Sequence, residues 1–326
     1  MIDPYNRIID TLRISVTDRC NLRCLYCMPA DGIALKSSGE ILSYEEILRV
    51  ADILNRMGIS RIKITGGEPL VRKDIVDFIR RLNEIKGIED VSLTTNGTLL
   101  PDFCTPLRQA GLKRITISLD TLDEEKFGCI TRKGRFNNVK DAINLALQSG
   151  FSPVKINSVV IKGLNDDEIP DFARLTLEYP IQVRFIEFMP TKNGNFWNVD
   201  KVLSEREIIE RCETISTLHP VDVPGGSGSA RLFRYSESKG FIGFISPLSN
   251  RFCNTCGRLR LTADGMLKLC LFSENGLNLN NLLRSGAVDT AIEKTILSYL
   301  QYKPIDNSQA LSSVESPLIT MSRIGG

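Results

Sequence analysis

Three cysteines near the start of the chain are the residues best suited to chemistry. Cys20, Cys24 and Cys27 have the spacing C-x3-C-x2-C and follow a run of alternating apolar residues. Thiolates are soft ligands, and such close spacing favours a metal or an iron–sulfur cluster over a disulfide. Because a four-iron cluster has four corners, three thiolates would leave one iron open to an outside ligand, as in catalytic metal sites. A zinc knuckle, or a spacing that arises by chance, is the alternative.

A second cysteine trio lies in the C-terminal third of the chain. Cys253, Cys256 and Cys270 have the spacing C-x2-C-x13-C. A structural zinc site usually has four protein ligands, and the only histidine, His219, lies far upstream. The trio therefore predicts a second cluster with one open iron, and zinc is the alternative. The other three cysteines have no partner spacing and are expected to be small buried side chains: Cys104, Cys129 and Cys212.

A glycine-rich turn, T-G-G-E-P at residues 65–69, follows the second expected strand. Glycine lets the backbone approach a ligand closely, and the carboxylate of Glu68 can bind an ammonium group. The turn lacks the G-K-[ST] ending of a phosphate-binding loop. A tight strand-to-helix turn without any ligand is the alternative interpretation.

Basic residues recur in and beside the expected strands. Arg258 and Arg260 flank one apolar residue, so their side chains point to the same face of a strand, where they can bind phosphate oxygens. Four more cations lie in similar positions: Arg13, Lys63, Lys155 and Arg184. Each alone is more often a solvated surface charge, but parallel strands are usually buried and apolar. We therefore expect a polyanion pocket, most simply for a nucleoside triphosphate.

Short β-branched runs alternate with helical stretches through the first 198 residues. Strands are expected at residues 12–17, 61–65, 91–95, 114–119, 154–161 and 182–188, and helices at 44–57, 74–85, 139–148 and 167–177. This alternation predicts an α/β fold, an incomplete (βα)6 TIM-like barrel whose active site lies at the C-terminal ends of the strands. Later strands are expected at 230–235, 241–246 and 259–271, the last with a turn at A-D-G, and a helix at 287–300. We expect two domains: the barrel in residues 1–198 and a smaller C-terminal α+β domain in residues 199–326 that covers its open side.

The composition is that of an ordinary globular protein. The 326 residues are 42% hydrophobic and 25% charged, and the net charge is +2. This balance gives no reason to expect a nucleic-acid or membrane partner. The first residues contain no apolar signal region, and nine cysteines without a disulfide pattern suit a reducing compartment. We expect a cytoplasmic protein.

The first trio, with Tyr26 before its third cysteine, resembles the motif of the radical S-adenosylmethionine (SAM) superfamily. The resemblance implies an open barrel and a [4Fe-4S] cluster whose open iron is capped by SAM. One-electron reduction then cleaves SAM and releases a 5′-deoxyadenosyl radical. By the same resemblance the SAM site is formed by Tyr26, Gly67, Glu68, Ser118 and Met189.

The whole chain resembles one branch of this superfamily, the enzymes that cyclise GTP in the first step of molybdenum cofactor (molybdopterin) biosynthesis. The resemblance is carried by the segments S-V-T-D-R-C-N-L-R-C, I-T-G-G-E-P-L, T-T-N-G, S-L-D-T-L, K-I-N-S-V-V, R-F-I-E-F-M-P, R-L-R-L-T-A-D-G and the terminal G-G. It implies formation of 3′,8-cyclo-7,8-dihydro-GTP and a second [4Fe-4S] cluster, whose open iron binds the purine. The implied GTP contacts are Arg13, Lys63, Thr94, Lys155, Arg184, Arg258, Leu259 and Arg260. Catalytic roles are implied for Arg13 and for Gly325 and Gly326, which reach into the active site.

Two positions depart from the pattern of this branch. Lys63 stands where an arginine is usual, which keeps the charge but loses the bidentate fork. Gly257 stands where an asparagine is common. Neither departure changes the reaction class that the resemblance implies. The resemblance also implies an external electron donor and a later enzyme, cyclic pyranopterin synthase, that receives the product, and it is compatible with a homodimer.

Three other functions remain open. A peptide-modifying radical SAM enzyme also carries additional C-terminal clusters, but it would use more cysteines. A redox carrier with two clusters would not need the glycine-rich turn or the arginine pair. A zinc-bearing nucleic-acid module would show a basic charge imbalance, and the net charge here is only +2.

Overall fold

One sheet organises the chain. The structure, a computed structural model, describes residues 1–190, 196–222, 229–273, 275–308 and 321. The strands in this part of the chain are Thr11–Ser15 (β1), Arg61–Thr65 (β2), Asp90–Thr95 (β3), Arg114–Ser118 (β4), Val154–Val160 (β5), Ile181–Glu187 (β6), His219–Pro220 (β7), Arg231–Arg234 (β8), Phe241–Ile245 (β9), Arg258–Leu261 (β10), Met266–Lys268 (β11) and Leu277–Asn278 (β12). The helices are Tyr44–Arg56 (α1), Ile75–Glu84 (α2), Leu100–Gln109 (α3), Glu124–Thr131 (α4), Phe136–Gln148 (α5), Ile169–Glu178 (α6), Glu205–Cys212 (α7), Leu279–Arg284 (α8) and Asp289–Leu300 (α9).

The middle of the sheet is parallel. Strands β1 to β6 lie side by side in chain order, and each pairs in parallel with its neighbours. The outer neighbour of β1 is β10 and that of β6 is β9, both also parallel, so β1 and β6 do not close on each other. Antiparallel strands then extend both edges of the sheet. The predicted α/β fold with an incomplete barrel is confirmed. Strands from the C-terminal part of the chain continue both edges of this barrel. The division of the chain into two domains at residue 198 stays a prediction.

The alternation of side chains along the strands separates the hydrophobic core from the barrel interior. On β1, Leu12 and Ile14 are fully buried in the main hydrophobic cluster, whereas Arg13 between them lies on the other face. Helices pack on the apolar face; α1 begins with a capping box in which Ser43 and Glu46 bind each other's backbone amides. The polar side chains that the strands carry therefore collect in the interior.

Most of the elements expected from the sequence are confirmed to within about three residues. The helices α3, α4, α7 and α8 were not predicted. Helix α3 contains Pro106 in its interior, and α4 has Gly128 at its centre, residues that usually weaken or end a helix. Tertiary packing outweighs these weak propensities. In the part of the chain that the structure describes, none of the helices combines the length and the apolar character needed to cross a membrane.

The turn before β9 depends on one glycine. A Cβ atom on Gly240 would lie 2.1 Å from the carbonyl oxygen of Ile181 at the start of β6. We predict that Gly240→Ala lowers the free energy of unfolding by about 1–3 kcal/mol, because β9 must move away from β6. The matched control is Gly128→Ala, where a Cβ meets no atom within 4 Å and alanine favours the helix by about 1 kcal/mol. Urea denaturation followed by circular dichroism measures both, and equal effects of the two substitutions would contradict the prediction.

Candidate active site

The first cysteine trio lies on the loop that follows β1. The amides of Cys27 and Met28 donate hydrogen bonds to the carbonyl oxygen of Cys24 at 3.0 and 3.2 Å, which folds the loop back on itself. The sulfur of Cys20 accepts a hydrogen bond from the Leu22 amide at 3.4 Å. Such hydrogen bonds to sulfur tune clusters held by cysteine. Burial raises the pKa of the Cys20 thiol to about 11, so a metal would have to displace its proton.

The glycine-rich turn after β2 packs against the backbone that leads into this loop. The amide of Gly67 donates to the carbonyl oxygen of Thr17 at 2.7 Å. A Cβ atom on Gly67 would lie 2.3 Å from the carbonyl oxygen of Arg19, and one on Gly66 would lie 2.8 Å from that of Thr17. The glycines therefore allow two chain segments to touch, which holds the cysteine loop against β2. The sequence pattern indicated either close approach to a ligand or a tight turn, and it did not reveal this contact between two chain segments.

Glu68 connects the ends of β2 and β3. Its carboxylate accepts hydrogen bonds from the Leu70 amide at 3.1 Å, the Thr95 hydroxyl at 2.7 Å and the Asn96 amide at 2.7 Å. The residue is 1% exposed, and burial raises its pKa to about 7 although the hydrogen bonds lower it. Glu68 thus has a positioning role within the protein, and its predicted contact with a SAM ammonium group stays a prediction.

A cavity of about 900 Å³ opens at the C-terminal ends of the strands and is lined by all three cysteines of the first trio. Its wall brings together every residue predicted to bind SAM: Tyr26, Gly67, Glu68, Ser118 and Met189. Thr94, predicted to contact GTP, lines the same cavity. Three soft sulfur donors at the wall of one cavity, beside polar side chains such as Glu68 and Asp120, fit a cluster together with a small-molecule cofactor.

Asp120 is a cavity residue that the sequence analysis did not single out. Its carboxylate accepts hydrogen bonds from the Tyr26 hydroxyl at 2.7 Å and the Val159 amide at 2.9 Å. Burial raises its pKa to about 6, although both hydrogen bonds lower it. The ring of Tyr26 also packs edge-on against Phe188, with 6.5 Å between ring centroids. Asp120 therefore fixes Tyr26 in the cavity, and its place in S-L-D-T-L directly after β4 was the available sequence signal.

The second trio is arranged around β10 and β11. Cys253 and Cys256 precede β10 and are joined by a hydrogen bond from the Cys256 amide to the Cys253 carbonyl oxygen at 3.2 Å, and Cys270 follows β11. Burial tends to raise the pKa of Cys256, but the positive charges of Arg258 and Lys303 outweigh it and lower the pKa to about 7. A thiolate, the form that binds metals, is therefore accessible near neutral pH.

Gly257 seats β10 against the start of β1. The amide of Thr11 donates to the carbonyl oxygen of Gly257 at 3.1 Å. A Cβ atom on Gly257 would lie 2.3 Å from the carbonyl oxygen of Ile8, so this conformation suits glycine. The resulting register places Arg260 directly beside Arg13.

A second cavity, of about 1010 Å³, is lined by the second trio together with Arg13, Arg258 and Arg260. Four residues line both cavities: Asn157, Ile186, Met189 and Met321. The two trios therefore open onto adjoining spaces that share a wall. No three His, Cys, Asp or Glu side chains in the described ranges form a single-ion site, and the metal assignment of both trios stays a prediction.

Buried cations crowd the interior of the barrel. Arg13 lies in register between Arg260 on β10 and Lys63 on β2, and Lys155 and Arg184 lie on β5 and β6. Burial, followed by the charges of other cations, lowers the pKa of Lys63 and lowers that of Lys155 to about 7. The Nε atoms of Arg13 and Arg184 are buried without a hydrogen-bond partner among the described residues. Charges and donors of this kind fit a bound polyanion.

Some of the predicted residues are placed differently from what the sequence suggested. Lys63, Lys155 and Arg184 are not among the residues that line the two cavities. Burial and then the charges of cations such as Arg184 and Lys155 lower the pKa of Lys63, so these cations lie close to one another. The side chain of Leu259 is fully buried in the hydrophobic core, so only its backbone remains for the predicted substrate contact. Gly325 and Gly326 lie outside the described residues.

One prediction about the unpaired cysteines was wrong. Cys104 and Cys212 are buried, as expected, but Cys129 is exposed. On α4 the buried positions are Phe127, Ile130 and Thr131, and Cys129 lies on the opposite face of the helix.

The open barrel, the cysteine loop and the glycine-rich turn are those of the radical SAM class. A family model described as Radical SAM superfamily matches residues 14–176, and one described as Molybdenum Cofactor Synthesis C matches residues 181–309. Both matches agree with the resemblance seen in the sequence. The class implies a [4Fe-4S] cluster and SAM.

Curated relatives match the chain over its full length. The GTP 3′,8-cyclase of Thermodesulfovibrio yellowstonii is 51% identical and that of Desulforamulus reducens 46% identical, each over 100% of both chains. The solved structure of Streptococcus suis SuiB superposes with a TM-score of 0.64 at 16% identity, over 94% of this chain and 69% of SuiB, which shows the fold alone. The chain belongs to the GTP 3′,8-cyclase family of the radical SAM superfamily.

The buried carboxyl group of Asp120 makes the free energy of unfolding depend on pH. Its pKa of about 6 lies above the ordinary value of 3.8, so the folded protein binds more protons than the unfolded chain between these two pH values. Stability therefore falls as the pH rises through this range. Asp120→Asn removes the titrating group. Between pH 5 and pH 7 we predict that the free energy of unfolding of the wild-type protein falls by about 1 kcal/mol more than that of this variant.

Urea denaturation at the two pH values measures this difference. Asparagine keeps an acceptor for the Val159 amide, and the Tyr26 hydroxyl can accept from the new amide group. The control is Asp31→Asn at an exposed position, which should follow wild-type at both pH values. An Asp120→Asn protein with the pH dependence of wild-type would show that this carboxyl group titrates normally.

Proposed function

We propose that the protein converts GTP to 3′,8-cyclo-7,8-dihydro-GTP, the first step of molybdenum cofactor biosynthesis. The observation that carries the proposal is the pair of adjoining cavities, each lined by one cysteine trio, with arginines in the second. Full-length relatives named GTP 3′,8-cyclase, one of them 51% identical, support the same reaction. The C-terminal match to Molybdenum Cofactor Synthesis C supports the same pathway.

Two clusters belong to this proposal. The first trio would hold the cluster that binds SAM, and the second trio would hold another [4Fe-4S] cluster whose open iron binds the purine of GTP. When reduced, the first cluster with SAM supplies a carbon-centred radical that can remove the hydrogen atom from C3′ of the ribose. Both trios fit this use, because each offers three thiols at the wall of one cavity.

The side chains of the protein bind and orient the two small molecules. Tyr26, fixed by Asp120, and Ser118 lie beside the space for SAM. Arg13 and Arg260, adjacent in register, face the space for GTP and neutralise phosphate charge. The ribose would lie at the shared wall, where Met189 excludes water from the reacting carbon.

The C-terminal tail completes the proposed site. Gly325 and Gly326 keep the catalytic role implied by the family resemblance. This role is supported by Met321, which lies shortly before them in the chain and lines both cavities. The catalytic role implied for Arg13 would be to assist electron or proton delivery, because Arg13 lines the second cavity beside the second trio.

The reaction also requires partners. An external donor must supply electrons, and a later pathway enzyme must receive the product. We place the reaction in the cytoplasm, because the nine free thiols suit a reducing compartment. The proposal assigns no nucleic-acid or membrane partner and is compatible with a homodimer.

Deuterium transfer from GTP tests the reaction. Protein reconstituted without oxygen should, with reductant, SAM and C3′-deuterated GTP, form 5′-deoxyadenosine that carries deuterium. The same protein without GTP is the control and should cleave little SAM. SAM cleavage that is indifferent to GTP would favour another substrate, such as a peptide, and zinc in place of iron would contradict both.

The lowered pKa of Lys155 predicts that the protein takes up a proton when GTP binds. Burial and the neighbouring charges of Arg184 and Arg114 lower its pKa to about 7, and a triphosphate would raise that pKa again. Slightly above neutral pH, GTP binding should therefore take up part of a proton. Lys155→Met should abolish the uptake and weaken GTP binding several-fold, because a positive charge near the triphosphate is lost although Lys155 does not line the cavity.

Isothermal titration calorimetry in buffers of different ionisation enthalpy measures proton uptake and affinity together. Lys140→Met, at an exposed position on α5, is the matched control and should bind GTP like wild-type. Tight GTP binding by wild-type without proton uptake would show that Lys155 does not sense the triphosphate.

A further inference from the structure

Two buried cations outside the predicted substrate contacts hold the backbone that carries the second trio. Lys303, 3% exposed, donates hydrogen bonds to the carbonyl oxygens of Arg258 at 2.9 Å and Leu269 at 2.6 Å. Arg7, 6% exposed, donates to the carbonyl oxygen of Cys253 at 2.8 Å. These acceptors lie at or within two residues of all three cysteines. The two cations therefore determine how the cysteine-bearing segments lie relative to one another.

The charges of these two cations are balanced differently. The guanidinium group of Arg7 pairs with the carboxylate of Asp3 at 2.5 Å, and Asp3 is 4% exposed. Lys303 forms no salt bridge with a carboxylate in the described ranges, and it donates to the neutral carbonyl groups of Arg258 and Leu269. Asp306, which lines the same cavity, accepts from the Ser308 amide instead. Arg7 therefore mainly positions the backbone, because Asp3 neutralises its charge. Lys303 positions the backbone and also adds a net positive charge to the cavity.

Lys303 faces the space in which the second cluster would lie. It lines the same cavity as Cys253, Cys256 and Cys270. A cluster held by three thiolates becomes more negative when it is reduced, and a buried positive charge stabilises the reduced form. Because Lys303 is shielded from water, its charge is screened little by salt.

We propose that Lys303 positions the second trio and raises the reduction potential of the cluster bound there. This inference rests on the proposed function, since it requires the second cluster. It goes beyond that function because Lys303 is not itself among the predicted SAM or GTP contacts, and its side-chain nitrogen binds backbone oxygens of Arg258 and Leu269. The residue acts through two backbone carbonyl groups and through its charge.

Potentiometry followed by electron paramagnetic resonance tests the proposal on the cluster-loaded full chain. Lys303→Met keeps the length of the side chain and removes both the charge and the hydrogen bonds. We expect the midpoint potential of the second cluster to fall, while that of the first cluster, in the same protein, stays unchanged. Lys294→Met, at an exposed position on α9, is the matched control and should shift neither potential.

Iron content separates the possible outcomes. Wild-type protein with about four rather than about eight iron atoms per chain would contradict the second cluster and hence the proposed function. Lys303→Met protein that keeps both clusters with unchanged potentials would overturn the inference alone. If Lys303→Met loses only the second cluster, Lys303→Arg, which keeps the charge, is expected to restore it. Failure of Lys303→Arg to restore the cluster would also overturn the inference.

Discussion

The burial of like charges inside a parallel sheet is the constraint on which the rest of the structure depends. Arg13, Lys63 and Arg260 lie in register on three adjacent strands. Removing an ion from water costs several kcal/mol unless a counter-charge replaces the solvent. The opposite face of the same strands offsets this cost, because Leu12, Ile14 and other residues there are fully buried in one large hydrophobic cluster. The fold therefore keeps the charged interior stable before any ligand arrives, and an anion that enters it relieves the remaining repulsion.

The way in which the C-terminal part joins the sheet determines where the second trio lies. Strand β10 pairs with β1 and β9 pairs with β6, so the last third of the chain is attached to both edges of the open barrel. Gly257 makes the first of these contacts possible by its close approach to the chain before β1. Two cysteine trios that are far apart in the sequence consequently line cavities with a common wall. A separate domain without strand pairing to the barrel would not fix the position of the second trio relative to the first.

Sequence patterns predicted the features that depend on local spacing. The cysteine trios, the glycine-rich turn and the strands of the barrel could be read from residues close together in the chain. Features that depend on strand register could not. Asp120 fixes Tyr26 across the cavity, and Lys303 binds carbonyl groups on β10 and just after β11, contacts that no local pattern encodes. The exposure of Cys129 was missed because α4 itself was missed, and a cysteine can be assigned to a buried face only when its helix is known.

The two cavities also differ in charge, and this difference matches the two ligands of the proposed reaction. The first contains the buried carboxyl groups of Glu68 and Asp120, whose pKa values of about 7 and about 6 allow them to be ionised near neutral pH. The second contains Arg13, Arg258 and Lys303. In the proposed reaction SAM is a net cation, with a sulfonium, an ammonium and a carboxylate group, whereas GTP is a polyanion, so the charge of each cavity favours one of the two proposed ligands. Because Glu68 and Asp120 follow β2 and β4, whereas Arg13 and Arg258 lie on β1 and β10, one sheet holds the carboxyl groups and the cations at different places and can favour a different ligand at each.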